Sequence, residues 1–184
     1  MIEEVTLADD VVLRPVTEQD AEALVAACVR NREHLKRWEP RRAEEYYTLP
    51  GQAERLKSLL DQQARGQAVA WAMADGEQIM GRMTLNNIVR GPWLSADLGY
   101  WMDYGYTGRG LATRAVLEVL RMADQELGLH RIAAGTLVDN VASQSVLRKT
   151  GFEQYGTPPR YLEIDGRWQD HHLFQRILND RPAF

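Results

Sequence analysis

"GYTGRGLAT", residues 105–113, sets three glycines within six positions, with one arginine among them, directly before a segment whose apolar spacing is helical. Runs of this kind usually hold phosphate, and spacing decides which. Gly105 and Gly110 satisfy the glycine spacing of a nucleoside-triphosphate loop, but Leu111-Ala112 stand where a lysine and a magnesium-binding hydroxyl are required. Without them nothing grips the terminal phosphates and their metal. A dinucleotide fingerprint, G-x-G-x-x-G/A, is missed at Thr113, and the acidic residues further on, Asp124 and Glu126, belong to a helix rather than to a strand end. What remains is backbone physics. Gly108 and Gly110 let the chain turn its N–H groups inward, and the helix start adds about half a positive charge. Arg109 and Arg114 flank that mouth. A seat for a diphosphate without metal is predicted, with an unliganded strand-to-helix turn as the alternative that the rest of the chain must decide.

Outward from this stretch, the following helix carries the clearest period. Ala112, Ala115, Val116, Val119, Leu120, Ala123 and Leu127 form one apolar stripe, and Gly128 stops it. Before it, AVAWAMA (68–74), IMGRMTL (79–85) and WLSADLGYWM (93–102) read as three consecutive strands, the last placing Asp97, Gly99 and Trp101 opposite Leu98, Tyr100 and Met102. VVLRPV (11–16) is a further strand. Thr17 and Asp20 then resemble a capping box for a helix to about Asn31. Residues 31–50 read as loop with short helical turns, and a second helix fits 51–65. RIAAGTLV (131–138) is a strand, and Asn140 caps a short helix through Lys149 that stops at Gly151. Two tail strands, RYLEI and HHLFQRIL, are expected to be joined by the Asp165-Gly166 turn. The reading is a single α/β (α+β) domain over residues 1–184 with a largely antiparallel sheet.

Composition narrows the function classes. With 45% hydrophobic and 26% charged residues the 184-residue chain can build an ordinary core, and its net charge of −4 argues against a broad grip on nucleic acid. Cys28 is the sole cysteine and sits in the apolar run LVAACV, so it reads as buried packing. No metal-ligand spacing is seen. The acidic start MIEEVTLADD lacks the basic region of a secretory signal, and no apolar run is long enough for a bilayer, so a cytoplasmic protein with no membrane or nucleic-acid partner is expected, as monomer or homodimer.

Thr107-Gly108-Arg109-Gly110-Leu111-Ala112 resembles the Q/R-x-x-G-x-G/A coenzyme A signature of the GCN5-related N-acetyltransferase (GNAT) superfamily, with Thr107 in place of the preferred Gln or Arg. A second motif in the family's order, N-x-x-S-x-x-V-L-x-x-x-G-F, is matched by Asn140, Ser143, Val146, Leu147, Gly151 and Phe152. HLKRWEP (34–40), NNIVRG (86–91), DLGYWM (97–102) and IDGRWQDH (164–171) are similar to the RimJ/RimL branch, the N-terminal acetyltransferases of ribosomal proteins, and more to RimJ. The resemblance implies a mixed, mostly antiparallel sheet of six to seven strands flanked by about four helices, with a splayed strand pair forming an acetyl-CoA cleft.

The resemblance also implies roles. Acetyl-CoA, the only cofactor expected, lays its diphosphate on the amides of Gly108, Arg109, Gly110, Leu111, Ala112 and Thr113. Its pantetheine arm pairs with main chain near Trp101, Met102 and Asp103, where a main-chain N–H also receives the oxyanion. Asn140 caps its helix and contacts the arm, and Ser143 protonates the leaving thiolate. Asp97 stands where many relatives carry a Glu and is the expected base, with burial or a water relay assumed because an ordinary Asp is a poor base at neutral pH. The acceptor is a protein N-terminus or a small-molecule amine such as a polyamine, amino acid or aminoglycoside. A non-catalytic acyl-CoA-binding module is the remaining class. For gripping the acceptor, the residues themselves suggest Trp38 and Tyr46 in the charged loop and Trp93 at the start of its strand. Of His171 and His172, one is expected to face the core and the other the cleft or solvent, in packing roles.

Overall fold

The apolar runs of residues 69–102 build the middle of the molecule. In the computed structural model, which describes residues 4–183, they form β3 (Val69–Asp75), β4 (Gln78–Val89) and β5 (Ser95–Met102), each antiparallel to the next. β1 (Val5–Ala8) and β2 (Val11–Pro15) extend one side of the sheet; β6 (Arg131–Leu137), β7 (Glu153–Gly156) and β10 (His171–Ile177) complete the other. The order is β1-β2-β3-β4-β5-β6-β10-β7, eight strands rather than the six to seven expected. The two edge strands were not anticipated: each has four residues and no sustained apolar alternation.

β8 (Leu162–Ile164) and β9 (Arg167–Gln169) form a separate hairpin. The Asp165-Gly166 turn therefore joins β8 to β9, not the two tail strands expected. Both turn residues have positive φ, 47° and 77°, which suits a tight two-residue hairpin.

Helices cover both faces. α1 (Ala21–Arg30) and α3 (Leu49–Ala64) pack on Ala70, Ala72, Ile79 and Trp101; the four-residue α2 (Arg32–Leu35) follows α1. Asp20 accepts the Thr17 N–H at 2.7 Å at the entry to α1, as the capping pattern implied, and also binds Arg14 at 2.6 Å. On the opposite face lie α4 (Leu111–Gln125) and α5 (Val141–Lys149), against the larger core of Leu13, Trp71, Met73, Met83 and Leu85. In the α4 stripe Ala115, Val116, Val119, Leu120 and Ala123 are buried, the valines and leucine contributing about 1.5–3 kcal/mol each. That burial fixes where the mouth of α4 points.

One pairing is parallel and incomplete. β5 meets β6 only through Ser95–Asp97 against Arg131–Ala133. Beyond Asp97 and Ala133 the two strands separate, leaving Leu98–Met102 and Ala134–Leu137 as the walls of a wedge in the middle of the sheet, the splayed pair that was expected.

Candidate functional site

The wedge continues into a cavity of about 670 Å³. Its walls are the separated halves of β5 and β6, the mouth of α4, the first turns of α5 and, on the other face of the sheet, His34, Trp38 and Glu39 beside α2. The cavity thus runs through the sheet from one helical layer to the other.

At its α4 end Gly108 and Gly110 have φ of 76° and 74°. A Cβ at either would meet nothing within 4 Å, so glycine is needed there for backbone conformation, not for room. The turn presents the free N–H groups of the first α4 residues to the cavity, with Gly108, Gly110, Leu111, Ala112 and Thr113 in its wall. The two arginines expected at this mouth are turned aside. Arg109 donates to the Gly105 carbonyl at 3.2 Å and lies over the Tyr106 ring, and Arg114 donates to the Leu7 carbonyl at 2.8 Å. Neither lines the cavity. The positive end is therefore made from main chain.

Asn140 caps α5, its side-chain oxygen accepting the Ser143 N–H at 3.1 Å. Since Asn140 takes the capping role, the Ser143 hydroxyl is free of it. It lies 2.8 Å from the Tyr100 hydroxyl, which also donates to the Ser143 carbonyl at 3.3 Å. Burial pushes the Tyr100 phenol up to about 12, against the lowering effect of the Ser143 hydrogen bond, so it remains protonated at neutral pH. Both residues line the cavity where the sheet splits. Also in its wall is Thr136, 4% exposed, whose hydroxyl has no hydrogen-bond partner among the described residues. An orphaned buried hydroxyl in a cavity with free amides at one end suits a polar, phosphate-bearing ligand.

Trp101 and Met102 line the cleft, but Asp103 does not. Its buried carboxylate accepts from Arg30 Nε at 2.6 Å, Asn31 Nδ2 at 2.8 Å and the Gly105 N–H at 2.8 Å. Burial alone would raise its pKa; the Asn31, Gly105 and Arg30 hydrogen bonds and the Arg30 charge outweigh that and hold it below the usual carboxylate range. The buried Asn31 amide also accepts the Tyr104 N–H at 2.8 Å. Asp103 is a clip that fastens the loop before α4 to the α1–α2 junction.

Asp97 is exposed and accepts a hydrogen bond from Asn87 at 2.8 Å, across the β4 irregularity where Asn87 has φ of 50°. The burial expected of it is absent. Asp97 does not line the cleft. The carboxylate bordering the cleft is instead Glu39, paired with Arg42 at 3.4 Å.

Of the aromatic candidates, Trp38 lines the cavity. Trp93 does not: it lies in the short 3-10 turn Gly91–Trp93 before β5 rather than at the start of the strand, exposed under Arg131. Tyr46 does not either; it is buried between the Arg42 and Arg55 guanidinium groups as a packing anchor, its phenol pushed up by burial. His171 is buried in the cleft wall with Nδ1 3.0 Å from the Gln169 carbonyl, whereas His172 sits between Gln154 and Thr157 at 2.9 Å. Among the described residues no cluster of three potential metal ligands occurs, and no helix is long and apolar enough to cross a membrane.

Residues 10–153 match the model of the acetyltransferase (GNAT) domain. The chain belongs to the GNAT acetyltransferase family. It is an N-acetyltransferase by that membership, and its relatives agree. It is 34% identical over 167 residues to the [ribosomal protein uS5]-alanine N-acetyltransferase of Escherichia coli, covering 90% of this chain and 86% of that one. The crystal structure of ribosomal-protein-S5-alanine acetyltransferase from Vibrio fischeri superposes with a TM-score of 0.93 at 31% identity, over 97% of this chain and 99% of that one. Mycobacterium smegmatis RimJ in complex with CoA-disulfide matches with a TM-score of 0.87 at 31% identity, over 91% and 81% of the two chains. Within this GNAT frame the sequence reading missed Tyr100 and Thr136, whereas Glu39 belongs to the charged stretch HLKRWEP. Tyr100 could have been found from its place on the Leu98–Met102 face of β5; Thr136 carries no such signal.

Proposed function

We propose that the protein transfers the acetyl group of acetyl-CoA to the α-amine of a protein N-terminus, of the ribosomal-protein type, in the cytoplasm. The observation that carries this is the cavity that crosses the sheet at the β5/β6 wedge, with a main-chain anion seat at one end and Ser143-Tyr100 in its wall where the sheet splits. The diphosphate lies on the amides after Gly108 and Gly110, and the pantetheine arm lies between the unpaired edges of β5 and β6. The acceptor enters from the Trp38-Glu39 side.

The amine nitrogen attacks the thioester carbonyl carbon, the C–S bond breaks, and the departing sulfur takes its proton through Ser143. Tyr100, held protonated, hydrogen-bonds Ser143 as that charge develops and is a positioning residue. Deprotonating the acceptor is a light demand: an α-amino group titrates near ~8, about two units below a lysine side chain, so water suffices as base. Glu39 attracts the ammonium form to the cleft, and Asp97 acts only through water.

A thiol-release assay with acetyl-CoA across Ala-, Ser- and Met-initiated peptides and a set of small amines tests this. Turnover of peptides is the expected result. Turnover of small amines alone moves the acceptor to that class, and no thiol release from any amine overturns the enzymatic reading.

A further inference from the structure

On the acceptor face a second cavity, of about 400 Å³, lies between α3 and the sheet, and its wall shares Glu39, Gly99, Tyr100 and Trp101 with the cleft. Its floor comes from β4. Arg82 is paired with Trp101, Thr84 with Gly99 and Asn86 with Asp97, and cross-strand partners share a face of the sheet. These β4 side chains are therefore carried under α3, where the neighbouring strand presents Ala70 and Ala72 to the core. A polar row in that place needs a reason.

Arg82 is half-buried, and among the described residues no carboxylate lies within ion-pair distance of it. Arg55 of α3 stands at the rim with its guanidinium over the Tyr46 ring, also without a carboxylate. The acid in the wall, Glu39, meets Arg42 through one oxygen at 3.4 Å and is paired with neither Arg82 nor Arg55. A half-buried guanidinium without a counter-charge is a ready partner for an anion, and a planar carboxylate is the group that best matches its fork. Gly99 lies in the wall shared by the two cavities.

We propose that this second cavity is a carboxylate subsite for the acceptor: the amine sits at Glu39 in the cleft while a carboxylate on the same molecule binds Arg82, with Arg55 closing over it. The inference rests on the acetyl-transfer reading above and adds the acceptor's second charge. Two sources supply that chemistry, an acidic side chain next to a protein N-terminus and the α-carboxylate of a free amino acid.

The test compares kcat/KM for matched acceptors: Ala-Glu- against Ala-Gln-initiated peptides, and alanine against alaninamide. The wild-type protein is expected to prefer the carboxylate member of at least one pair by about tenfold or more, chiefly through KM. In Arg82→Gln the preference falls to near unity, while Arg82→Lys keeps part of it. Circular dichroism and acetyl-CoA affinity check the fold of each variant. If Arg82→Gln does not fold, Arg55→Gln at the rim is read instead and is expected to lower the same ratio. Preference in the peptide pair assigns the side-chain source, and preference in the alanine pair alone assigns the free amino acid. Equal rates within both pairs, or a preference that Arg82→Gln leaves intact, overturn the subsite and leave acetyl transfer standing. Absence of thiol release from these four and from the wider peptide and amine set takes down both, whereas release from that wider set alone overturns only the subsite.

Discussion

The two ends of the cleft are built from different materials. At the donor end the chemistry is main chain: two left-handed glycines and the free amides of one helix, with the nearby arginines engaged elsewhere. At the acceptor end it is side chain: Trp38 and Glu39 from the α2 side, Arg82 and Thr84 from β4, Arg55 from α3. A seat made of backbone is specified by a short local run and tolerates varied neighbours. A seat made of side chains from distant segments can change with single substitutions, so a family can hold its donor constant and vary its acceptor.

Breaking the donor end should have the largest effect. Gly110→Glu puts a charge of the wrong sign, on a residue that resists positive φ, at the diphosphate seat. Calorimetry is expected to show acetyl-CoA binding weakened at least ~100-fold, whereas Gly110→Asn, which accepts that conformation, loses far less. Retained tight binding in Gly110→Glu would show that the seat lies elsewhere.

At the waist between the two ends, Ser143→Ala is expected to lower kcat by about 100-fold and Tyr100→Phe by about tenfold. Because Tyr100 works through Ser143, the double variant should be no slower than Ser143→Ala. Multiplying effects would mean that the two act independently.

The clip joining the ends is a matter of stability. Asp103→Ala leaves Asn31 and Arg30 without their shared acceptor, at about 2 kcal/mol in chemical denaturation, a value discounted because Arg30 is partly exposed. In the wild type, between the ordinary aspartate pKa and the lowered one, the unfolded chain binds a proton that the folded chain does not. The contribution of Asp103 is therefore whole above the ordinary value and lost as pH falls through that window. Asp103→Ala should show a shallower acid limb of stability against pH.

Smallest is the contrast between two carboxylates at the acceptor end. Glu39→Gln is expected to reduce kcat/KM about tenfold, and Asp97→Asn less than about threefold, because Asp97 is solvated and outside both cavities. A larger loss in Asp97→Asn, recovered at high pH, would restore it as the base.

Sequence by itself determined the parts whose physics is local. The 3.6-residue stripe of α4, the alternation of β5, the glycines at 108 and 110 and the Asn140 cap each state their own conformation, and all were found where the chain places them. Only tertiary structure decided the rest. Ser143 was legible through its motif, but its partner Tyr100 lies 43 residues away. Asp97 sits on the expected strand, yet on the stretch where β5 has not parted from β6, and Trp93 falls in the turn before that strand; nothing in their neighbours tells which end of a strand opens. Glu39, Arg82 and Arg55 are three ordinary charges until the packing of α3 over β4 brings them around one space. Backbone conformation is set by a residue and its neighbours, whereas a cavity is set by what fails to fill it, and that depends on every segment that packs around it.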